Sequence, residues 1–267
     1  GMVELCLPGL PFSEEWGGAG FDNLSYSIAV EEISRVCGSM GLTLAAHVSL
    51  GTWPIYAFGS QALKERYLPG LCSGEFMGAY ALTEPGAGSD SASTQTTAVL
   101  DGDEYIINGA KCFTTNGSYS KCFVITVQTD PELGSKGIMA MVIDRDQPGC
   151  IIEPGEEKLG MRGSDWVNLV FQDCRVSKDA VLGEEGEGFA TFMKTLEGGR
   201  ISIAALSLGT AQGALDQALA YSSEREQFGM PLNKHQAVAF KLADMETEIQ
   251  AARHMVYHAS RLKDAGR

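Results

Sequence analysis

The chain has 267 residues, of which 44% are hydrophobic and 20% charged, and its formal net charge is −14. This composition is typical of a globular protein with a sizeable core, arranged as one large or two to three smaller domains. Acidic residues are spread along the chain without a Lys/Arg cluster, which argues against nucleic acid or an anionic membrane as a partner. No apolar run approaches the roughly 20 residues that cross a bilayer, and no secretory leader opens the chain, so we expect a cytoplasmic protein.

Cysteine and histidine are the residues that would reveal a disulfide framework or a metal site. The cysteines are odd in number and no pair has C-x-x-C spacing, so we expect buried, reduced thiols. His254 and His258 are four residues apart on a predicted helix, but no nearby cysteine completes a ligand set. We therefore predict no bound metal.

The first quarter of the chain has helical periodicity. One predicted helix begins after Asp22 or Asn23, either of which is a suitable N-cap. A second covers Leu42 to Phe58, where Pro54 is expected to kink or end it. A third begins near Ser60.

From about Phe76 to Leu182, short β-type runs alternate with turn signals. The predicted strands are Thr96–Leu100, Glu104–Asn108, Phe123–Thr129, Ile138–Ile143 and Val167–Phe171. The turn signals are Asp101-Gly102, Asn108-Gly109, Asn116-Gly117 and Pro148-Gly149. Because Asp-Gly and Asn-Gly between apolar runs are strong hairpin signals, this part of the chain predicts a small antiparallel sheet, sandwich or barrel.

Helical periodicity returns in the last third of the chain. One long helix is predicted from Phe189 to Ser222 and another from His235 to Lys263, with a break at Phe228–Pro231. Two long helices joined by a short loop are typical of half an antiparallel bundle. The predicted fold class is therefore α+β, with a helical domain at 1–77, a central antiparallel β domain at 78–187 and an incomplete helical bundle at 188–267.

The segment Tyr80–Asp90 (YALTEPGAGSD) is a β-type run that ends in a Gly-rich turn. Gly86 and Gly88 would allow backbone conformations that a Cβ resists, and successive N–H groups in such a turn can bind an anion. Thr83 and Ser89 add hydroxyls that donate or accept hydrogen bonds. The alternative is a surface loop that is Gly-rich only because it turns, since single Gly-rich loops are weak signals.

Three further motifs follow in order, namely Asn108–Gly117 (NGAKCFTTNG), Leu159–Trp166 (LGMRGSDW) and Arg225–Gly229 (REQFG). Together with the Gly-rich turn and Pro11–Gly20 (PFSEEWGGAG), they resemble the acyl-CoA dehydrogenases of short- or medium-chain type. The resemblance runs from end to end and implies a helical domain, a central β domain and a four-helix bundle. Relative to that architecture, parts of the N-terminal domain and of the C-terminal bundle are absent, so we expect a fragment of a longer protein.

The resemblance also implies an activity. FAD is the expected cofactor and an acyl-CoA thioester the expected substrate, which is oxidised to a trans-2-enoyl-CoA while electrons leave to an electron-transfer flavoprotein. FAD shared between subunits in the family implies a homodimer or homotetramer. Because CoA is anionic, its site must rely on local donors against the overall field of an acidic protein.

The positions that match the family's FAD-binding elements are Tyr80, Leu82, Thr83, Gly88, Ser89, Phe113, Thr114, Thr115, Arg225, Gln227, Phe228 and Gln236. Backbone near Leu82 and the Thr83 hydroxyl would bond the pyrimidine side of the flavin. Phe113 would cover one ring face, although many family members have the larger Trp there; its alternative role is that of a hydrophobic strand residue. Arg225 would reach the pyrophosphate of a neighbouring subunit's FAD, and its alternative role is that of a solvated arginine at a helix end.

The positions that match acyl-CoA contacts are Ser89, Glu197, Gly198, Gly199 and Arg200. Arg200 contacts substrate or forms an ion pair with a carboxylate such as Asp165. Most of the family carries its catalytic Glu in a part of the bundle beyond Arg267, and a branched-chain minority carries it immediately before the arginine, where this chain has Gly199. Glu197 lies roughly 200° around the helix from that position, so we assign no catalytic residue.

Two alternatives to dehydrogenation are open. One is a flavin oxidase of the same fold, such as an acyl-CoA oxidase or nitroalkane oxidase, which oxygen consumption would reveal. The other is a non-catalytic acyl-CoA- or flavin-binding protein, which the missing base favours. The motifs do not distinguish acyl chain lengths, because cavity depth depends on side chains such as those near Leu42–Leu50.

Overall fold

The computed structural model describes all residues from Gly1 to Arg267. By its internal contacts the chain divides into two compact units, the first formed by Gly1–Phe21 and Thr43–Gly199, the second by Asp22–Leu42 and Arg200–Arg267. The first unit holds an eight-stranded sheet, and the second consists mainly of long helices. No helix in the chain combines the length and the apolar character that crossing a membrane requires.

The helices are α1 (Asn23–Val36), α2 (Gly38–Ala46), α3 (Trp53–Phe58), α4 (Gln61–Ser73), α5 (Gly188–Glu224) and α6 (Gln236–Asp264). The predicted N-cap Asp22 at the start of α1 is confirmed, and α4 begins after Ser60, close to the predicted start. The Asp22 carboxylate accepts a hydrogen bond from the Ser25 N–H at 2.7 Å, and the Ser60 hydroxyl accepts one from the Leu63 N–H at 3.3 Å. Each cap satisfies a backbone donor that the first helical turn leaves without a partner.

The single helix predicted from Leu42 to Phe58 is wrong in its start and its continuity. Helix α2 starts earlier and gives way to a π-helical segment, His47–Thr52, before α3. Pro54 neither kinks nor ends a helix, because it lies in the first turn of α3, where a missing N–H costs nothing. The π segment is fixed by contacts from afar, since His47 donates from Nε2 to the Leu71 carbonyl at 3.0 Å and accepts at Nδ1 from the Gly78 N–H at 3.3 Å.

The strands are β1 (Met77–Ala81), β2 (Thr97–Asp101), β3 (Glu104–Thr115), β4 (Ser120–Gln128), β5 (Ile138–Asp144), β6 (Cys150–Pro154), β7 (Trp166–Ser177), β8 (Val181–Leu182), β9 (Glu226–Gln227) and β10 (Met230–Pro231). The main sheet has the order β6-β7-β3-β2-β4-β5-β8, and β1 pairs with β4. Most pairs are antiparallel, as predicted, but β1 and β4 are parallel and β2 meets β4 in parallel at one position.

Only one of the four predicted turn signals forms a hairpin between its flanking strands. Asp101-Gly102 joins β2 to β3, with Gly102 at φ 66°. Asn108-Gly109 is not a turn, because β3 runs straight through it and the register with β7 shifts there. The other two signals turn the chain, but the strands on either side pair elsewhere: β3 with β2 and β7, β4 and β5 with each other, and β6 with β7.

Strands β4 and β5 form the centre of the core of the first unit. Their side chains are almost all buried, together with inward-facing residues of β3 and β7 such as Ile107, Leu169 and Phe171. Continuous burial along a strand requires cover on both faces. The sheet therefore provides a rigid support for the strands and loops that carry the candidate functional groups.

A buried polar network joins the helices of the second unit. The Glu31 carboxylate on α1 is 2% exposed and accepts hydrogen bonds from Arg253 Nε at 2.9 Å and the Tyr257 hydroxyl at 2.8 Å, both on α6. Arg253 also donates to Gln212 on α5 at 2.8 Å. Because every member has a partner, this network fixes the register of the three helices without leaving a lone buried charge.

Candidate cofactor and substrate site

A small cavity of about 160 Å³ opens in the first unit beside the end of β1. Its lining residues are Ala46, Leu50, Tyr80, Leu82, Thr83, Cys112, Phe113, Thr115 and Leu196. They come from α2, the π segment, β1 and the chain that follows it, β3 and the start of α5. The structure thus brings together five of the predicted site residues, and it adds apolar walls that the sequence motifs did not indicate.

Tyr80 forms a fixed wall of this cavity. Its ring stacks on Phe192 with centroids 4.4 Å apart, and its hydroxyl donates to the Phe192 carbonyl at 3.4 Å. Burial raises the pKa of the Tyr80 hydroxyl well above its ordinary value, so the group stays neutral. Tyr80 therefore shapes the cavity and does not exchange protons in it.

The backbone after β1 is anchored from behind by β3. The Leu82 carbonyl accepts a hydrogen bond from Lys111 Nζ at 3.3 Å, and the Thr83 carbonyl accepts one from the Cys112 N–H at 2.8 Å. The hydroxyls of Thr83 and Thr115 have no hydrogen-bond partner within the chain although both residues line the cavity. Two half-buried hydroxyls that lack a partner in a cavity are available to a ligand.

A buried ion pair lies behind the same backbone. Lys111 Nζ is 2.7 Å from Glu84 Oε1, with the two side chains 0% and 3% exposed, and it donates to the Thr126 hydroxyl at 2.8 Å. Burial lowers the pKa of Lys111 to about 8, although Glu84 limits the fall. Burial raises the pKa of Glu84, but the charge of Lys111 and the hydrogen bonds from Gln95 and Thr96 together lower it by more. The pKa of Glu84 therefore lies below its ordinary value. The pair is charged at neutral pH.

Phe113 lies at the mouth of the cavity in a strained conformation. Its φ is 58°, in the left-handed region that residues with a Cβ rarely adopt, and its side chain is 66% exposed. The register of β3 with β7 shifts between Lys111 and Thr114, which is why Phe113 faces outward while Lys111 faces the core. The exposed ring is a surface against which a flat ligand could stack.

A second, more polar cavity of about 350 Å³ continues beyond Phe113, whose ring lies 5.1 Å from that of Trp166. It is lined by Gly155, Glu156, Glu157, Lys158, Arg162, Ser164, Asp165 and Trp166. The Ser164 hydroxyl is buried there without a partner. The Asp165 carboxylate instead accepts hydrogen bonds from the backbone and side chain of Ser118, both at 2.7 Å. This cavity was missed in the sequence, although Arg162, Ser164, Asp165 and Trp166 belong to the motif Leu159–Trp166 that was already singled out.

Thr114 does not reach the cavity. It is fully buried, and its hydroxyl has no partner. Gly88 and Ser89 are exposed in the turn after β1 and do not line the cavity. The expectation that Gly86 and Gly88 adopt conformations barred to other residues is wrong, because neither has a positive φ and a Cβ would have no clash at either position.

The start of α5 places Gly199 against Leu50, one of the residues that line the cavity. Gly199 is buried, and a Cβ there would lie 3.0 Å from Leu50 Cδ2. Gly198 is half-buried, whereas Glu197 and Arg200 are exposed. No Asp or Glu is among the residues that line the cavity, so it offers no carboxylate base of its own.

The remaining predicted residues form an exposed hairpin in the second unit. Arg225, Gln227 and Phe228 lie on or beside β9 and β10, and Gln236 opens α6. Phe228 has φ 55° and is 92% exposed. His235 Nε2 lies 3.0 Å from the Gln227 carbonyl, which ties the hairpin to the start of α6. These side chains are presented outward and are free to meet another molecule.

Comparison with known proteins gives a consistent result along the whole chain. Profiles of the acyl-CoA dehydrogenase family match in three parts: the N-terminal domain over residues 1–75, the middle domain over 79–174 and the C-terminal domain over 186–267. The short-chain specific acyl-CoA dehydrogenase of Clostridium acetobutylicum is 52% identical over 265 residues, which are 99% of this chain and 70% of that protein.

Solved structures agree with the sequence matches. A chain from the study of the electron transferring flavoprotein of Acidaminococcus fermentans superposes with a TM-score of 0.98 at 49% identity, covering 100% of this chain and 70% of its own length. Butyryl-CoA dehydrogenase from Megasphaera elsdenii superposes with a TM-score of 0.97 at 43% identity, with the same coverage of 100% and 70%.

Proposed function

The chain belongs to the acyl-CoA dehydrogenase family. We propose that it catalyses the FAD-dependent α,β-dehydrogenation of a short acyl-CoA thioester to the trans-2-enoyl-CoA. The substrate loses a proton from its α-carbon and a hydride from its β-carbon. FAD, when bound, supplies the two-electron acceptor for that hydride. The electrons then pass to an electron-transfer flavoprotein.

The cavity beside β1 is the observation that carries this proposal. It combines an exposed aromatic face at Phe113, two hydroxyls without partners at Thr83 and Thr115, and anchored backbone at Leu82. These groups fit a flat, polar ring system, which needs a stacking surface and donors at its edge. The polar cavity beyond the Phe113–Trp166 ring pair is not assigned to phosphate, because Glu156, Glu157 and Asp165 line it together with Lys158 and Arg162 and leave it without net positive charge.

Substrate binding is assigned to the residues around the start of α5 and the exposed turn. Glu197, Gly198, Gly199 and Arg200 would contact the acyl-CoA and Ser89 would meet its pantetheine or phosphate part, while Gly88 is assigned to the FAD. Leu50 lines the cavity and lies so close to Gly199 that a Cβ there would be 3.0 Å from Leu50 Cδ2, and this crowding supports a short acyl group. The relative named short-chain specific agrees with that choice.

The exposed hairpin of the second unit supports a shared cofactor site. We assign Arg225, Gln227, Phe228 and Gln236 to the FAD of a second copy of the chain, in a homodimer or homotetramer. Their outward presentation supports this role, because an exposed Phe side chain gains from being covered. Thr114, buried behind the cavity, is retained only as a supporting residue.

Domain division and compartment are part of the same proposal. We propose three domains at 1–77, 78–187 and 188–267, which the matched family domains at 1–75, 79–174 and 186–267 support in number and order. The cysteines are all free thiols, two of them exposed at Cys6 and Cys37 rather than buried as expected. Free thiols suit the reducing cytoplasm.

A second candidate is binding of flavin and acyl-CoA without turnover, which the lack of a carboxylate among the cavity-lining residues favours. The visible spectrum of the chain with FAD, before and after anaerobic addition of butyryl-CoA, separates the two. Bleaching of the flavin band would establish dehydrogenation, and subsequent oxygen uptake would mark an oxidase. A shifted but oxidised band would establish binding alone. A flavin spectrum identical to that of free FAD would reject both.

A further inference from the structure

We infer that Lys111 is a positioning residue for the cofactor cavity: it fixes the peptide between Leu82 and Thr83 so that the Thr83 N–H faces the cavity, and its charge strengthens that donor toward reduced flavin. The inference rests on the proposed function, since it assumes that the cavity holds the flavin ring. It assigns a role to a buried ion pair that packing alone does not explain.

The bonds of Lys111 account for all three of its ammonium protons. Nζ donates to Glu84 Oε1 at 2.7 Å, to the Thr126 hydroxyl at 2.8 Å and to the Leu82 carbonyl at 3.3 Å. The side chain is 0% exposed. A buried ammonium is costly unless it is fully paired, and replacement of such a pair by apolar residues is often neutral or stabilising. The presence of such a pair behind a cavity therefore points to a use other than stability.

The geometry of the peptide bond links the contact at the Leu82 carbonyl to the direction of the Thr83 N–H. In a planar trans peptide the C=O and the following N–H point in opposite directions. Because the Leu82 C=O points to Lys111 in the core, the Thr83 N–H points away from the core, toward the side where Leu82 and Thr83 line the cavity. The Thr83 C=O is held in turn by the Cys112 N–H at 2.8 Å.

The two charges of the pair do not act equally on this peptide. Lys111 touches the Leu82 carbonyl, whereas the Glu84 oxygens also accept from the N–H groups of Gln95 at 2.7 Å and Thr96 at 3.1 Å. A cation on a carbonyl polarises the amide and makes its N–H a stronger donor. Reduced flavin carries more negative charge than oxidised flavin, so a stronger donor at its edge favours the reduced form.

The test compares flavin midpoint potentials by anaerobic redox titration. Lys111→Met combined with Glu84→Gln removes both charges, so that no lone buried charge remains. We expect reduced FAD to lose at least tenfold in binding relative to oxidised FAD. For a two-electron couple this ratio corresponds to a potential about 30 mV more negative.

Glu31→Gln combined with Arg253→Met is the matched control. This pair is also buried, with side chains 2% and 18% exposed, but neither residue lines the cavity. We expect the control to lose stability without a change in potential. A purely structural role for Lys111 predicts the same result for both double variants.

Lys111→Gln combined with Glu84→Gln covers the case in which the first variant does not fold, because two amides can hydrogen-bond each other and the Leu82 carbonyl. It should lower the potential in the same direction. If the unaltered chain binds FAD but these variants keep its potential, the role of Lys111 is refuted while the proposed function stands. If the unaltered chain binds no FAD, both fail.

Discussion

His47 shows how a single buried side chain can set a pH limit. It is 2% exposed and lies between the Leu71 carbonyl and the Gly78 N–H, so that one ring nitrogen donates and the other accepts. Only the neutral imidazole can do both. Burial lowers the pKa of His47 from its ordinary value of 6.5 to about 4.

The sign of the effect on stability follows from linkage. Between pH 6.5 and 4 the unfolded chain binds a proton at His47 that the folded chain does not, so stability falls as the pH falls. We expect His47 to contribute a loss on the order of 3 kcal/mol across this range. Urea unfolding at pH 6.5 and 4.5 should show a smaller loss for His47→Gln than for the unaltered chain. The exposed His254→Gln variant should behave like the unaltered chain.

Whether a site residue could be predicted from the sequence depended on its type. Motifs located Tyr80, Leu82, Thr83, Phe113 and Thr115, which meet in the cavity. They did not indicate Ala46, Leu50 or Leu196, because an apolar residue that lines a cavity has the same sequence signature as one in the core. Nor did they separate Thr114 from Thr115, since a bulge decides which of them faces inward.

At the scale of elements, β3 depends on one glycine. Gly109 has φ 150°, and a Cβ there would lie 2.6 Å from Thr96 Oγ1 and 2.7 Å from Thr96 Cα. A backbone atom cannot move aside as a side chain can. We expect Gly109→Ala to cost about 3 kcal/mol of unfolding free energy.

Gly102 is the matched control for that substitution. It also has a positive φ, at 66°, but nothing lies within 4 Å of a Cβ. Gly102→Ala should therefore cost about 1 kcal/mol, from backbone strain alone. Equal losses for the two variants in urea unfolding would contradict the steric argument.

The π segment and the start of α5 together set the width of the cavity. Leu50→Ala should widen it, and Gly199→Ala should narrow it by pressing on Leu50 Cδ2 at 3.0 Å. A methylene in an apolar pocket changes selectivity by roughly tenfold or more. We therefore expect the hexanoyl-CoA to butyryl-CoA affinity ratio to rise about tenfold in the first variant and to fall in the second.

Leu63→Ala is the control for these cavity variants, because Leu63 is buried in α4 and does not line the cavity. It should lower stability without changing the affinity ratio. The same shift of the ratio in all three variants would mean that Leu50 and Gly199 do not set the width.

The sequence predicted helices and turns correctly where residues close to them in sequence determine their limits. The caps at Asp22 and Ser60 act within one helical turn, and the sequence predicted the first cap and a helix start near the second. The π segment was not predicted, because His47 is held by Leu71 and Gly78, residues distant in sequence. The failure at Asn108-Gly109 has a similar cause, since pairing with β7 overrides the local turn preference.

For the molecule as a whole, the net charge of −14 opposes an anionic ligand. Salt screens this long-range repulsion, since the Debye length falls from about 30 Å at 0.01 M to about 8 Å at 0.15 M. We expect butyryl-CoA to associate faster, by about twofold or more, when salt is raised over this range. Butyryl-pantetheine, which lacks the phosphates, should show no such increase in stopped-flow measurements.

The free thiols offer a way to observe the two compact units in solution. Cys6 in the first and Cys37 in the second are exposed, whereas burial raises the pKa of Cys72, Cys122 and Cys174 to about 12. Thiolates are the reactive species, so maleimide dyes should attach to the two exposed positions first. A donor and acceptor attached there would report by energy transfer whether cofactor binding changes the distance between the units.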